Sequence, residues 1–124
     1  MNYYLLIIIL LFTILPYSCY YDNEEELYPE ISTDCDTLNI TYSEEITAIF
    51  QDNCWSCHSN NNAAAFGANI TLEDYSDVVS NDIAVLGSIK HNPGYSPMPK
   101  NGGKLDDCSI SQFEAWINQG SPQN

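Results

Sequence analysis

Apolar residues recur at helical spacing in several parts of this chain, and no segment shows the alternation typical of a β-strand. The first helix is predicted to begin near Thr41 or Ser43, because residues 41–44 (Thr-Tyr-Ser-Glu) match a capping box. Ile46, Ile49 and Phe50 then fall on one face of the helix. The pattern continues to Cys54, where the helix is predicted to end.

The rest of the chain predicts shorter helices separated by loops. Residues 59–67 are polar and then small, which indicates a loop. Thr71 can cap a short helix, and residues 81–90 predict one more. Residues 91–104 hold three prolines and three glycines, which exclude regular structure there. A last helix is predicted from a capping box at Ser109 to a stop at Gly120. The positions predicted to face inward in the first of these helices are Leu72, Tyr75, Val78 and Val79. The apolar positions of the next are Ile83, Leu86 and Ile89, and those of the last helix form a stripe of Ile110, Phe113, Trp116 and Ile117.

The amino-terminal residues do not fit this helical domain. Tyr3 to Leu15 is a nearly unbroken apolar run without charge, too short for an ordinary membrane span and typical of a signal-peptide core. Residues 1–18 are therefore interpreted as a lipoprotein-type signal, with Cys19 as the lipidated first residue. The alternative is an ordinary cleaved signal that leaves Cys19 as a spare thiol. Residues 19–34 are acidic and contain Pro29, which predicts a tether before a domain over residues 35–124.

Charge narrows the classes of partner. The chain has 17 acidic and 3 basic side chains, a formal net charge of −14. This balance argues against nucleic acid as a partner, since phosphate binding needs Lys and Arg. It also argues against adsorption to anionic lipid, so membrane contact is predicted only through the lipid on Cys19.

Residues 54–58 read Cys-Trp-Ser-Cys-His, the C-x-x-C-H spacing by which haem is attached covalently. The thiols of Cys54 and Cys57 can each form a thioether to a haem vinyl group. His58 would then be the proximal ligand of the iron. The sequence therefore predicts one covalent haem c, and a chemistry of electron transfer.

The second axial ligand is expected in the proline-rich loop. Met98 is the only methionine after the predicted signal, and Pro97 and Pro99 stiffen the backbone on both sides of it. A rigid loop suits a weak thioether ligand, so Met98 is the predicted axial ligand. His91 lies in the same region and is the alternative, either as a ligand or as a surface residue or a hydrogen-bond donor to a haem propionate.

The remaining cysteines are Cys35 and Cys108. An exported protein meets oxidising conditions, so these two are predicted to form a disulfide. Two separate free thiols are the alternative.

With these residues in place, the chain resembles a class I cytochrome c-like domain of the kind found in small exported bacterial lipoproteins, over roughly Cys35 to Gly120. The resemblance implies an all-α fold of about four short helices wrapped around one haem. It also implies that the first and last helices cross, with Ile49 and Phe50 against Phe113 and Trp116. In the family a backbone carbonyl orients the proximal histidine, but the Gly-Pro pair that often marks it is absent from residues 59–75.

The function expected is that of a one-electron carrier with His58/Met98-ligated iron and no catalytic residues. It would be a monomer, lipid-anchored at the periplasmic face of a membrane or on the surface of a Gram-negative bacterium. Its redox partner proteins would dock weakly at the haem edge; Lys90, Lys100 and Lys104 either mark a docking face or only add solubility. The alternatives are a haem enzyme or gas or redox sensor with a labile sixth ligand, and a zinc site built on Cys54, Cys57 and His58 with Cys35, His91 or Cys108.

Overall fold

The computed structural model describes Tyr3, residues 35–100 and residues 102–124. In this part of the chain all regular structure is helical, as the apolar pattern predicts. A π-helical turn, Tyr42–Ile46, continues into α1 (Thr47–Asn53), and it is followed by α2 (Trp55–His58), α3 (Ala63–Phe66), α4 (Tyr75–Ile89) and α5 (Asp107–Asn118). The predicted signal (residues 1–18), the lipidation site Cys19 and the tether (residues 19–34) lie outside the described residues, apart from Tyr3.

The first helix begins where the sequence predicts, but its capping partner differs. The Thr41 hydroxyl accepts a hydrogen bond from the Glu44 amide at 3.2 Å. The reciprocal hydrogen bond goes to Glu45, whose carboxylate accepts from the Thr41 amide at 2.8 Å. The predicted capping box, with Glu44 as the second member, is therefore wrong. The π-helical first turn moves the reciprocal position one residue along the chain. These bonds to Thr41 lower the pKa of Glu45 below its usual value.

Two of the predicted breaks in the middle of the chain are absent. Residues 59–67 contain the short helix α3, since three consecutive alanines favour helix. Residues 75–89 form the single helix α4 rather than two. Its polar centre does not interrupt it, because the Ser80 hydroxyl and the Asn81 amide bond back to main-chain carbonyls one turn earlier, at 2.6 and 2.8 Å. Thr71 is not a cap: its hydroxyl donates to the Asp77 carboxylate at 2.5 Å.

The last helix starts earlier than predicted. Asp106 is its N-cap, and its carboxylate accepts hydrogen bonds from the Ser109 hydroxyl at 2.6 Å and the Ser109 amide at 2.9 Å. Those bonds lower the pKa of Asp106. The predicted cap at Ser109 is therefore wrong, because Asp106 takes the position first. The predicted stop is confirmed: Gly120 has φ +89°, a left-handed conformation that glycine adopts without a steric cost.

The core lies between the π-helical turn, α1, α4 and α5. Phe50 and Phe113 meet edge to face with their centroids 5.3 Å apart, and Phe113 stacks on Trp116 at 5.7 Å. The predicted contact between the first and last helices is thus confirmed. The buried apolar side chains are Ile40, Ile46, Ile49, Phe50, Leu72, Val78, Ile89, Leu105, Ile110, Phe113 and Trp116.

A disulfide joins the entry of the domain to α5. The sulfur atoms of Cys35 and Cys108 lie 2.10 Å apart, across a sequence separation of 73 residues. The segment between α4 and α5 is irregular at every described position, as predicted. Within the described residues, no helix has the length and apolar character needed to cross a membrane.

Candidate cofactor site

The end of α1 delivers the Cys-Trp-Ser-Cys-His sequence as one continuous turn. The Cys54 amide bonds to the Phe50 carbonyl at 2.8 Å, and the His58 amide bonds to the Cys54 carbonyl at 2.8 Å. Cys54 and Cys57 are both free thiols. Three residues apart in helical geometry, they lie on neighbouring turns of the same side. The two thiols and the imidazole therefore belong to one hydrogen-bonded segment of backbone.

The two thiols differ in their surroundings. Cys57 is exposed, whereas Cys54 is half-buried and packs against the apolar core. Burial raises the pKa of the Cys54 thiol to about 11. Near neutral pH Cys54 is thus a protonated thiol held in an apolar setting.

The His58 ring is oriented by a main-chain carbonyl that sequence reasoning did not assign. Its Nδ1 lies 2.9 Å from the carbonyl oxygen of Ile70. A carbonyl can only accept, so Nδ1 is the donor in this bond, and in the neutral imidazole the lone pair lies on Nε2. That tautomer leaves Nε2 available as a ligand, with the ring orientation fixed by the bond on the opposite nitrogen.

The segment around Leu72 forms a second set of bonds to the same turn. The Trp55 indole donates to the Leu72 carbonyl at 2.9 Å, and the Leu72 amide donates to the His58 carbonyl at 2.8 Å. The loop after His58 is held as well, because the Asn60 amide donates to the Glu73 carboxylate at 2.8 Å. No sequence signal marked these residues, since each bond joins positions at least 13 residues apart.

Gly67 is packed against this turn so closely that a side chain has no room. A Cβ at this position would lie 2.6 Å from the Cys57 carbonyl oxygen and 2.9 Å from His58 Nδ1. Both are closer than real Cβ contacts. The absence of a side chain at Gly67 therefore permits the bond between His58 and Ile70.

Met98 is half-buried, and both of its main-chain polar groups are anchored to the end of α4. Its amide donates to the Ser88 carbonyl at 3.1 Å. Its carbonyl oxygen lies 3.0 Å from His91 Nε2. His91 and Met98, which the sequence treated as rival ligands, are thus direct neighbours, and His91 uses its Nε2 on the Met98 backbone.

Tyr95 anchors the same loop by packing. Its ring lies directly over Gly87 in α4, where a Cβ would approach three ring carbons to 2.6 Å. The helix can accept the flat ring only because position 87 lacks a side chain. Residues 92–98 are therefore attached to α4 by one aromatic contact as well as by hydrogen bonds.

The lysines expected around this loop are largely neutralised. Lys90 pairs with Glu114 at 2.5 Å, and Lys104 pairs with Asp107 at 3.1 Å. Both carboxylates belong to α5, so these pairs tie the loop region to that helix. The interpretation of the three lysines as a positive docking face loses support.

The geometry also bears on the zinc alternative. Cys35 and Cys108 are joined to each other, which removes two of its proposed fourth ligands. Among the described residues, no group of three or more His, Cys, Asp or Glu side chains is arranged to hold a metal ion. A closed tetrahedral site on Cys54, Cys57 and His58 therefore has no support.

A surface cavity of about 530 Å³ lies apart from these residues, between the first helix and α5. None of the predicted ligands lines it. Its walls include the four carboxylates of Glu44, Glu45, Asp52 and Asp106. The other lining residues are Ala48, Ile49, Asn53, Ser109 and Gln112.

The predicted residues thus lie in two parts of the described chain. Cys54, Cys57 and His58 form one, and Met98 with His91 forms the other. Helix α4 connects them, because the segment that precedes it holds His58 and its last turn holds Met98. No protein-family model, curated protein or solved structure matches this chain.

Proposed function

We propose that this protein is a mono-haem c-type cytochrome that carries single electrons. Cys54 and Cys57 would attach the haem, and His58 and Met98 would be the axial ligands of its iron. The helices would surround the haem in the manner of a class I cytochrome c. The proposal takes Cys54, Cys57, His58 and Met98 into one function.

The observation that carries the proposal is the bond between His58 Nδ1 and the Ile70 carbonyl. Histidines that bind metals almost always donate their other ring proton to such an acceptor, which fixes the tautomer and raises ligand basicity. Here this bond lies on the residue that follows two free thiols at haem-attachment spacing.

The anchored loop supports Met98 as the second ligand. A thioether is a weak donor, so it stays on iron only if the chain holds it there. The hydrogen bonds of the Met98 amide and the Met98 carbonyl, together with the packing of Tyr95 on α4, provide that restraint. His91 is the weaker candidate, because its Nε2 bonds the Met98 carbonyl and only Nδ1, the ring nitrogen nearer the backbone, is left for iron.

When bound, haem supplies a reversible one-electron change at iron, with a Met/His pair favouring the reduced form. The chain's own contribution is to keep both ligands in place during that change. His58 is held through Ile70 and Leu72, and Met98 through Ser88 and His91. Small structural change on electron transfer is the expected result.

The same restraint argues against the alternative of a haem enzyme or gas or redox sensor. Such a protein needs a sixth position that opens, and Met98 would have to leave its loop contacts to open it. We therefore propose a carrier without catalytic residues.

We further propose that the protein is exported and lipid-anchored through Cys19, and that it works as a monomer. Its redox partners would meet it in brief encounters at the haem edge. With two of three lysines paired internally, the described surface is dominated by carboxylates. We expect partners with basic docking faces.

The test is a reduced-minus-oxidised absorption spectrum of the whole chain, produced together with haem-maturation machinery. We expect a c-type reduced spectrum and a weak far-red band in the ferric protein. The band should disappear in Met98→Ala, because it reports sulfur ligation, while the covalent haem remains.

A control variant makes the result decisive. A Cys54→Ala, Cys57→Ala double variant should release its haem on denaturation, whereas the parent chain should retain it. Covalent haem with no far-red band, and a spectrum unchanged in Met98→Ala, would shift the proposal to the enzyme or sensor alternative. No covalent haem in the parent chain would refute the cytochrome.

A further inference from the structure

The second residue after helix α4 has an unusual backbone conformation. His91 has φ +57°, the left-handed region that most side chains avoid. Its amide bonds to the Ser88 carbonyl at 3.2 Å, and the Asn92 amide bonds to the Gly87 carbonyl at 2.9 Å. This is the position after a helix where glycine is the usual residue, because it carries no Cβ penalty. A histidine here bears a backbone cost that glycine would avoid.

The imidazole does something at this position that glycine could not do. Its Nε2 donates to the Met98 carbonyl at 3.0 Å, seven residues along the chain. The Met98 amide is meanwhile bonded to the Ser88 carbonyl in the last turn of α4. The left-handed backbone directs the ring towards the Met98 loop, so the strained conformation and the bond belong together.

We propose that His91 is a positioning residue that locks the Met98 loop onto the end of α4. This inference rests on the proposed function, and it deepens it by naming what regulates access to the sixth position. His91 acts through the Met98 backbone and is a hydrogen-bond donor rather than an iron ligand. Removing the ring should let Met98 leave its position more readily while α4 still ends normally.

The test uses added imidazole as the probe, titrated into the ferric, haem-loaded chain and followed by loss of the far-red band. Imidazole can bind only when Met98 is displaced, so its apparent affinity measures how firmly the loop is held. Three variants are compared with the parent: His91→Gly, His91→Ala and His91→Gln. Thermal unfolding of each is recorded in parallel.

His91→Gly and His91→Ala should both raise the apparent imidazole affinity about five- to tenfold, the range expected for one lost hydrogen bond. Their thermal stabilities should nevertheless differ, with Gly above Ala, because only Gly relieves the left-handed strain. His91→Gln should restore most of the parent affinity. Its amide nitrogen is the same number of bonds from the backbone as His91 Nε2, and it can donate to the same carbonyl.

A residue that only terminates the helix would give a different pattern. Imidazole affinity would then follow thermal stability, with His91→Gly at or below the parent value, and that result would overturn the inference. An unchanged affinity in both His91→Gly and His91→Ala would overturn it as well. If the parent chain carries no covalent haem, both the proposed function and the role of His91 are refuted. If it carries covalent haem but the His91 variants bind imidazole like the parent, only the role of His91 is refuted.

Discussion

The indole Nε1 of Trp55 lies 2.9 Å from the carbonyl oxygen of Leu72, and this contact ties the Cys54–His58 turn to the segment that holds His58. The Leu72 amide returns a bond to the His58 carbonyl. Trp55 is therefore not a mere spacer between the cysteines, because its side chain helps to place His58.

Trp55→Phe should lower the free energy of unfolding by about 1 kcal/mol, because the Leu72 carbonyl loses its side-chain donor. Chemical denaturation of the haem-loaded chain measures this change. The variant should also alter the proton NMR shifts of His58 in the ferric protein.

Tyr75→Phe is the matched control, since it removes one side-chain donor from the Ser121 carbonyl, a bond of 2.7 Å. It should destabilise the chain by a similar amount and leave the His58 signals unchanged. Equal changes at His58 in both variants would contradict a specific role for Trp55.

Gly67→Ala should disrupt the His58 site. The added Cβ would collide with the Cys57 carbonyl and His58 Nδ1, so the ring must move off Ile70. We expect a loss of about 1–3 kcal/mol in stability, the range typical of overpacking, and a lower yield of covalent haem. Gly103→Ala is the control, because a Cβ there meets nothing within 4 Å. If both variants load haem equally, the close approach at Gly67 has no functional role.

The Cys54 thiol should make the stability of the haem-free chain fall in alkaline solution. Burial raises the folded-state pKa of Cys54 to about 11, from a value of 9.0 without burial. The neutral thiol therefore favours the folded state at neutral pH, and this contribution is lost as pH rises from about 9 through 11. A two-unit difference corresponds to roughly 3 kcal/mol.

Urea denaturation at pH 8 and pH 10.5 measures that loss, with Cys54→Ala as the comparison. The slope with pH should be reduced in Cys54→Ala and retained in Cys57→Ala. At pH 8, iodoacetamide should modify the exposed Cys57 faster than Cys54 in the folded chain. Equal rates at the two thiols would show that Cys54 is not shielded.

Replacing both Cys35 and Cys108 by serine should lower the free energy of unfolding by up to roughly 4 kcal/mol. The disulfide closes a loop over a separation of 73 residues, and chain-entropy reasoning gives a value of this size for the unfolded state. Thermal unfolding of the loaded chain is the measurement. Haem attachment and the far-red band should persist, since Cys35 and Cys108 bond each other and are not part of the Cys54–His58 turn. Loss of the band would mean that the disulfide also shapes the haem site.

The helical faces were largely predictable from the sequence, but helix boundaries were less so. Ile46, Ile49 and Phe50 lie in the core as their spacing predicts. The predicted break in α4 failed because polar side chains at Ser80 and Asn81 bond back onto their own helix, which a composition-based reading cannot detect. The capping error at Ser109 arose because Asp106, three residues earlier, can also cap, and its carboxylate accepts the Ser109 amide.

By itself, the sequence determined which candidate ligand groups the chain contains: two thiols and a histidine at fixed spacing, and one methionine between prolines. These features are local, so spacing along the chain is enough to define them. Only the tertiary structure decided which groups hold those residues. The Ile70 carbonyl reaches His58, Gly67 makes room for the ring, and His91 bonds Met98 rather than competing with it. Each of these depends on how loops pack back on helices, and that packing is set by contacts between distant residues that no local pattern records.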